Sequence, residues 1–211
     1  MITIATQKIC EFIKKNYPIE NYLLQSNLEG EKKVSYLNFF SGRGKRVYAD
    51  VIIKRDIVEK YLHTSVEEMV YLAHSSLYGS LISGMIGANA HIANILTAIF
   101  ISTGQDVAHV HDASIGVTTI DKDKNGDLYI SVNLPSLAIG TVGGGTGLGT
   151  QRECLEILGC YGSGKVNKLA EIMACSVLAG ELSLSASQSA KDFAFAHEKF
   201  GRNKPDKYWK K

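Results

Sequence analysis

Gly140-Thr-Val-Gly-Gly-Gly-Thr-Gly-Leu-Gly-Thr-Gln151 lies in the C-terminal half of the chain. Glycine permits positive φ and lets backbone approach a ligand closely, at a cost in chain entropy. A simple turn does not require so many. The density marks a place where main-chain N–H groups face something large that carries phosphate or carboxylate. After it, Gln151–Leu158 reads as the start of a helix. Residues 168–196 carry further helix, with Leu169, Ile172, Met173, Val177 and Leu178 in one stripe. Before it, Gly116–Ile120 and Asp127–Leu134 read as strands joined through Asp123-Lys-Asn-Gly126, whose Asn-Gly is a hairpin signal.

Further toward the N-terminus, no Asp, Glu, Lys or Arg occurs between Glu68 and Asp106. That exceeds the roughly 20 residues of a spanning helix. His74, Asn89, His91 and Asn94 interrupt the stretch, and it lacks basic flanks and aromatic belts. Its many small residues, Gly79, Ser80, Ser83 and Gly84 among them, suit close packing in a protein core, so no membrane span is expected. Ser65-Val-Glu-Glu68 is a capping box that opens a helix to about His74. A second, long helix is expected from about Leu77 to Thr103, with Gly104 as its stop and Asp106 just beyond.

Residues 5–16 read as an amphipathic helix with Ile9, Phe12 and Ile13 on one face, and Pro18 lies past its end. A strand over Tyr22–Ser26, a polar loop over 27–33, and strands over Ser35–Phe40 and Arg46–Ile53 follow. Strands and helices mix without regular βαβ alternation. The expected class is α+β, a long buried central helix surrounded by strands and helices.

The 211 residues leave room for one good core and a small appendage. A net charge of +2, with no acidic or basic block, suggests no nucleic-acid surface. The basic end, Arg202 to Lys211, is either a solvated tail or a phosphate-binding arm. Cys10, Cys154, Cys160 and Cys175 form no CxxC pair, and Met1 to Lys8 lacks a signal-peptide pattern. Reduced thiols in a cytoplasmic protein are the simplest expectation.

Two motifs invite a wrong reading. Gly159-Cys-Tyr-Gly-Ser-Gly-Lys165 fits most of a phosphate-binding P-loop, but Val166 stands where Ser or Thr should hold magnesium, and a helix leads in where a strand is required. His109-Val-His111 could share a face of a strand as metal ligands, but no third ligand has recognisable spacing. A satisfied or surface histidine pair is the better reading, and no metal is expected.

Gly42-Arg-Gly-Lys45, Asn89-Ala-His91, Ala93-Asn-Ile95, Gly104-Gln-Asp106, Asp127-Leu-Tyr-Ile-Ser131, Leu134-Pro-Ser136, the glycine loop and Ala179-Gly-Glu-Leu-Ser-Leu184 occur in order along the chain. Together they resemble the C-terminal catalytic half of the 3-hydroxy-3-methylglutaryl-coenzyme A (HMG-CoA) reductases. The resemblance implies that family's large-domain fold. It also implies reduction of the thioester HMG-CoA to mevalonate and coenzyme A, in two hydride transfers from a nicotinamide cofactor, in the mevalonate route to isoprenoids.

By the same resemblance, Lys32 matches the catalytic lysine that holds the developing oxyanion. Asp106 matches the catalytic aspartate. His197, thirteen positions beyond Leu184, matches the histidine that protonates the departing thiolate. Lys33 and Asn94 match positions that contact the glutaryl group or order its polar network, and Ser26 is placed with them as substrate-binding. Gly143, Gly144 and Gly145 would set bare backbone beside the ligands, and Arg202 matches a basic residue associated with the cofactor phosphate. Arg202 leans toward NADPH, with NADH left open.

The family's preceding stretch, with its catalytic glutamate, dimerisation motif and Asp-Ala-Met-Gly-Met-Asn cofactor motif, is not in this sequence. The expected division is residues 1–30, a remnant of an inserted cofactor domain with its connecting loop, and residues 31–211, the C-terminal part of the substrate-binding and catalytic domain. The isolated chain is expected to be inactive or very weak. It would work as a homodimer or with a complementing N-terminal polypeptide. The alternative is a catalytically inactive homologue that binds acyl-coenzyme A or acts as a dimerising regulator.

Overall fold

The computed structural model describes residues 2–25 and 30–201. Ordered from the N-terminus, the helices are α1 (Ile2–Asn16), α2 (Tyr36–Ser41), α3 (Arg55–Leu62), α4 (Val66–Ile82), α5 (Ile92–Thr103), α6 (Val110–Ala113), α7 (Gly149–Ile157), α8 (Val166–Ser189) and α9 (Phe193–Phe200). The strands are β1 (Lys45–Ile53), β2 (Val117–Lys122) and β3 (Leu128–Leu137). The class is α+β, as the mixed element order implies.

The sheet is antiparallel with β3 in the middle, in the order β1-β3-β2. Ile130 lies opposite Val51 on one side and Ile120 on the other. On β3, Leu128, Ile130, Val132 and Leu134 are buried while Tyr129, Ser131 and Asn133 between them are half-buried, the period of two that covers one face of a sheet. That face receives α8, whose Leu169, Met173, Ala174 and Val177 recur at helical spacing and are fully buried. Met69 of α4 and Ile92, Leu96 and Phe100 of α5 complete the core. By length and composition α8 could cross a membrane, but its buried stripe packs on the sheet.

Several expectations are corrected. The apolar stretch from 69 to 105 is not built around a helix from Leu77 to Thr103. α4 runs through His74 to Ile82, and α5 begins only at Ile92. The chain between them serves the sheet instead. Ala88 makes a parallel bridge with Val117, donating its N–H to the Gly116 carbonyl (3.1 Å) and accepting from the Thr118 N–H (2.8 Å). Gly87, at φ +88°, makes this possible: a Cβ there would lie 2.6 Å from the Gly116 oxygen. The longest buried helix is therefore α8.

Ser35–Phe40 is not a strand. Ser35 caps α2, its Oγ accepting from the Asn38 N–H (3.2 Å). Residues 22–25 form no strand, and Ser26 lies outside the described residues. The helix expected to reach residue 196 stops at Ser189, and Lys191, at φ +64°, separates α8 from α9. The helix over residues 5–16 is present as α1, but Ile9, Phe12 and Ile13 are exposed and none of residues 3–16 belongs to the core.

Gly87→Ala is expected to cost about 2–4 kcal/mol, combining the left-handed penalty of ~1–2 kcal/mol with overpacking against backbone. Gly84, at φ +70°, has no atom within 4 Å of its notional Cβ, so Gly84→Ala should cost only about 1–2 kcal/mol. Urea midpoints of the two variants measure the difference, and equal losses would refute this account of the 83–91 connection.

Candidate functional site

Two segments meet where α5 ends. Gly104 closes the helix in the left-handed region (φ +68°), and its N–H returns to the Phe100 carbonyl. Across from it lies the glycine loop. A Cβ on Gly104 would come within 2.8 Å of the Thr146 nitrogen, and one on Gly145 within 2.7 Å of the Gly104 oxygen. Backbone meets backbone here with no room for side chains. Gln105 fastens the contact from the side: its Nε2 donates to the Gly140 carbonyl (2.9 Å) and its Oε1 accepts from the Gly140 N–H (2.8 Å).

Beside this contact opens a cavity of about 760 Å³, walled by Glu31, Arg43, Asp106, His109, Gln151 and the glycine loop. Gly143 and Gly144 line it at φ +77° and +57°, and a Cβ on either would meet nothing within 4 Å. The loop thus presents main chain to open space, as its composition suggests. Part of its support comes from the segment that imitates a P-loop. The Gly162 N–H donates to the Thr141 carbonyl (3.0 Å), and the Thr141 hydroxyl donates to the Gly162 carbonyl (2.7 Å). That segment connects α7 to α8, so a helix leads into it and it buttresses the loop.

Asp106 stands two residues past Gly104. One carboxylate oxygen caps the following 3-10 turn by accepting from the Ala108 N–H (3.1 Å). The other meets the Lys32 ammonium at 2.8 Å. The hydrogen bond from Lys32 holds the Asp106 carboxyl below its ordinary range, against the opposing effect of partial burial. The same hydrogen bond and charge raise the Lys32 ammonium above its ordinary value. Both groups therefore stay ionised at neutral pH. Lys32 has positive φ (+59°), unusual for a residue with a Cβ.

A second group of charges lies beside this pair, and sequence reading missed most of it. His109 is buried, with Nδ1 3.2 Å from Asp112 and Nε2 3.4 Å from Glu31. Arg43 reaches Glu31 at 3.5 Å and the fully buried Asp112 at 3.9 Å. His109 and His111 lie on a 3-10 turn and α6, not on a strand, and His111 is exposed. The signal that could have found the group is the spacing of Asp106, His109 and Asp112 at successive threes, one face of a helical turn. Among the described residues no three His, Cys, Asp or Glu gather as metal ligands.

The other expected residues fall elsewhere. His197 is exposed on α9, bonded through Nδ1 to its own helix at the Phe193 carbonyl (2.9 Å), and does not line the cavity. No residue of α9 is buried, so the core does not fix where that helix lies. The side chains of Lys33 and Asn94 are exposed, and neither residue lines the cavity. Ser26 and Arg202 lie outside the described residues.

Asp106→Asn keeps the cap and removes the charge. A depressed carboxylate contributes stability above its ordinary value of 3.8 that is lost as pH falls through the folded value. A raised ammonium contributes stability below its ordinary value of 10.5 that is lost as pH rises through the folded value. The urea midpoint of the parent chain should therefore exceed that of Asp106→Asn between these limits. The gap should be small, because the pair is half exposed, and should close at both extremes. A gap constant across the whole range would refute the pairing.

The family model described as hydroxymethylglutaryl-coenzyme A reductase matches residues 1–202. The 3-hydroxy-3-methylglutaryl-coenzyme A reductase of Pyrococcus abyssi is 47% identical over 209 residues, covering 96% of this chain and 51% of that protein. The enzyme of Methanocaldococcus jannaschii is 45% identical over 208 residues, with the same coverage of both. Reductase 2 of Arabidopsis thaliana is 41% identical over 215 residues, covering 98% of this chain and 38% of that protein. The chain thus spans about half the length of its archaeal relatives. On this match over almost its whole length, the chain belongs to the hydroxymethylglutaryl-coenzyme A reductase family.

Proposed function

We propose that this chain forms the catalytic part of an HMG-CoA reductase, reducing the thioester of HMG-CoA to the primary alcohol of mevalonate and releasing coenzyme A. The observation that carries the reading is the Lys32–Asp106 ion pair at the mouth of a cavity floored by bare glycine main chain. Family membership supports the reaction, and the relatives' names support the substrate. Two hydrides and two protons convert the thioester into an alcohol and a thiol.

The Lys32 ammonium is the group suited to the carbonyl oxygen as charge develops there, and Asp106 keeps that ammonium protonated and aimed. Lys32 can also pass a proton to the oxygen once it carries the charge. Gly143 and Gly144 fit a ligand that lies close against backbone, since side chains there would fill open space, and Gly145 remains assigned to the ligand on the family resemblance. A nicotinamide cofactor bound there would supply the hydrides, and Arg202 supports NADPH over NADH. The proton for the departing thiolate is assigned to His197, on the family's spacing alone. Lys33, Asn94 and Ser26 remain assigned to the substrate on the same ground.

The division into a cofactor-domain remnant at residues 1–30 and a catalytic part at 31–211 draws support from α1, whose apolar face has no partner in the core. The exposure of that face among the described residues, and the placement of His197 away from the cavity, support a requirement for further polypeptide, from a second copy or a complementing half. The non-catalytic alternative, an acyl-coenzyme A binder or dimerising regulator, is favoured by those two observations if no partner restores turnover.

Mixing the chain with the part of an archaeal relative that it does not span, with HMG-CoA present, should oxidise NADPH faster than NADH. Lys32→Ala should then lower kcat by at least ~10²-fold with little change in KM. Absence of oxidation, with both polypeptides folded, would count against the reductase reading and leave the binding protein.

A further inference from the structure

Lys32 is held in a left-handed conformation (φ +59°) that residues with a Cβ seldom adopt. It follows Gly30 (φ +69°) in a turn whose backbone carbonyls point toward α2. There Asn38, 3% exposed, donates both protons of its side-chain amide: one to the Gly30 carbonyl (3.2 Å) and one to the Lys33 carbonyl (2.6 Å). These carbonyls flank Lys32 on both sides. The Asn38 main chain is itself occupied, its N–H by the Ser35 hydroxyl and its carbonyl by the Gly42 N–H. The amide is thus fixed at its base and has both donors committed. From the opposite side Glu31 is gripped by Arg43 and His109.

We propose that Asn38 is a positioning residue for the Lys32–Asp106 pair, its side-chain amide imposing the left-handed turn that brings the ammonium to the carboxylate. Asparagine is the residue the task requires. Two donors are needed for carbonyls three residues apart, from a short neutral side chain that adds no charge beside Lys32. Without the amide, the turn relaxes toward negative φ, and the Lys32 side chain swings away from Asp106 although no residue of the pair has changed. The consequence for turnover rests on the reading of Lys32 and Asp106 as the reacting pair. The consequence for geometry does not.

The test therefore follows Asp106 directly, with no need for turnover. In the full chain, carboxyl carbon resonances titrated by NMR report the Asp106 carboxyl. Asn38→Leu keeps the branched outline of the side chain, adds no charge and removes both donors. It should raise the Asp106 midpoint toward the ordinary carboxylate value, with far-UV circular dichroism unchanged. Ser35→Ala serves as the structural control: it weakens the cap of α2 but leaves the amide in place, and should leave the midpoint where it was. An unmoved midpoint in Asn38→Leu, or an equal shift in Ser35→Ala, overturns the proposal. If Asn38→Leu does not fold, the unaltered chain decides. Its two Asn38 side-chain amide protons should exchange with solvent many-fold more slowly than those of the exposed Asn94, and equal exchange overturns the proposal. With turnover restored by a complementing half, Asn38→Leu should lower kcat about as Lys32→Ala does, with KM little changed.

Discussion

The contact between Gly104 and Gly145 is the constraint on which the site depends. Two backbones approach so closely that neither position can carry a Cβ. One backbone belongs to the end of α5, which the core holds through Ile92, Leu96 and Phe100. The other belongs to a loop with no core of its own. The contact, with the Gln105 amide across Gly140, transfers the rigidity of α5 to the loop. It also sets Asp106 at the rim of the cavity, because only Gln105 separates the aspartate from the glycine.

The charges around Asp106 follow a division of labour that burial explains. Lys32 and Asp106 are half exposed, where water limits the energy of an ion pair, so their contact is worth more as geometry than as stability. Asp112 is fully buried, where an unpaired charge is expensive, and it is met by His109 and Arg43, which in turn reach Glu31. The exposed pair stands open to solvent beside the cavity. The buried group holds the turn on which the exposed lysine stands.

The N-terminal and C-terminal helices contrast with this centre. α1 has an amphipathic pattern whose Ile9, Phe12 and Ile13 are exposed among the described residues, and α9 has no buried residue. Both lie at ends of a chain that spans about half the length of its archaeal relatives. His197, on α9, is exposed and bonds to the Phe193 carbonyl of its own helix, outside the cavity.

Local chemistry was legible in the sequence. The hairpin at Asn125-Gly126, the caps at Ser65 and Gly104, the stripe on α8 and the glycine loop are each specified by neighbouring residues, and the structure has them where the pattern places them. The resemblance likewise brought Lys32 and Asp106 together, although 74 positions part them in the sequence, and the structure joins them at 2.8 Å. What only the tertiary structure decided depends on partners distant in the chain. Residues 83–91 read as helix because they are apolar, yet they leave the helix to bridge β2, whose edge offers hydrogen bonds that composition does not reveal. Ser35–Phe40 reads as strand by its aromatic content, yet a serine cap and the double grip of Asn38 make it a helix. Periodicity records which residues are apolar; which surface each of them finds is settled only when the whole chain has closed around it.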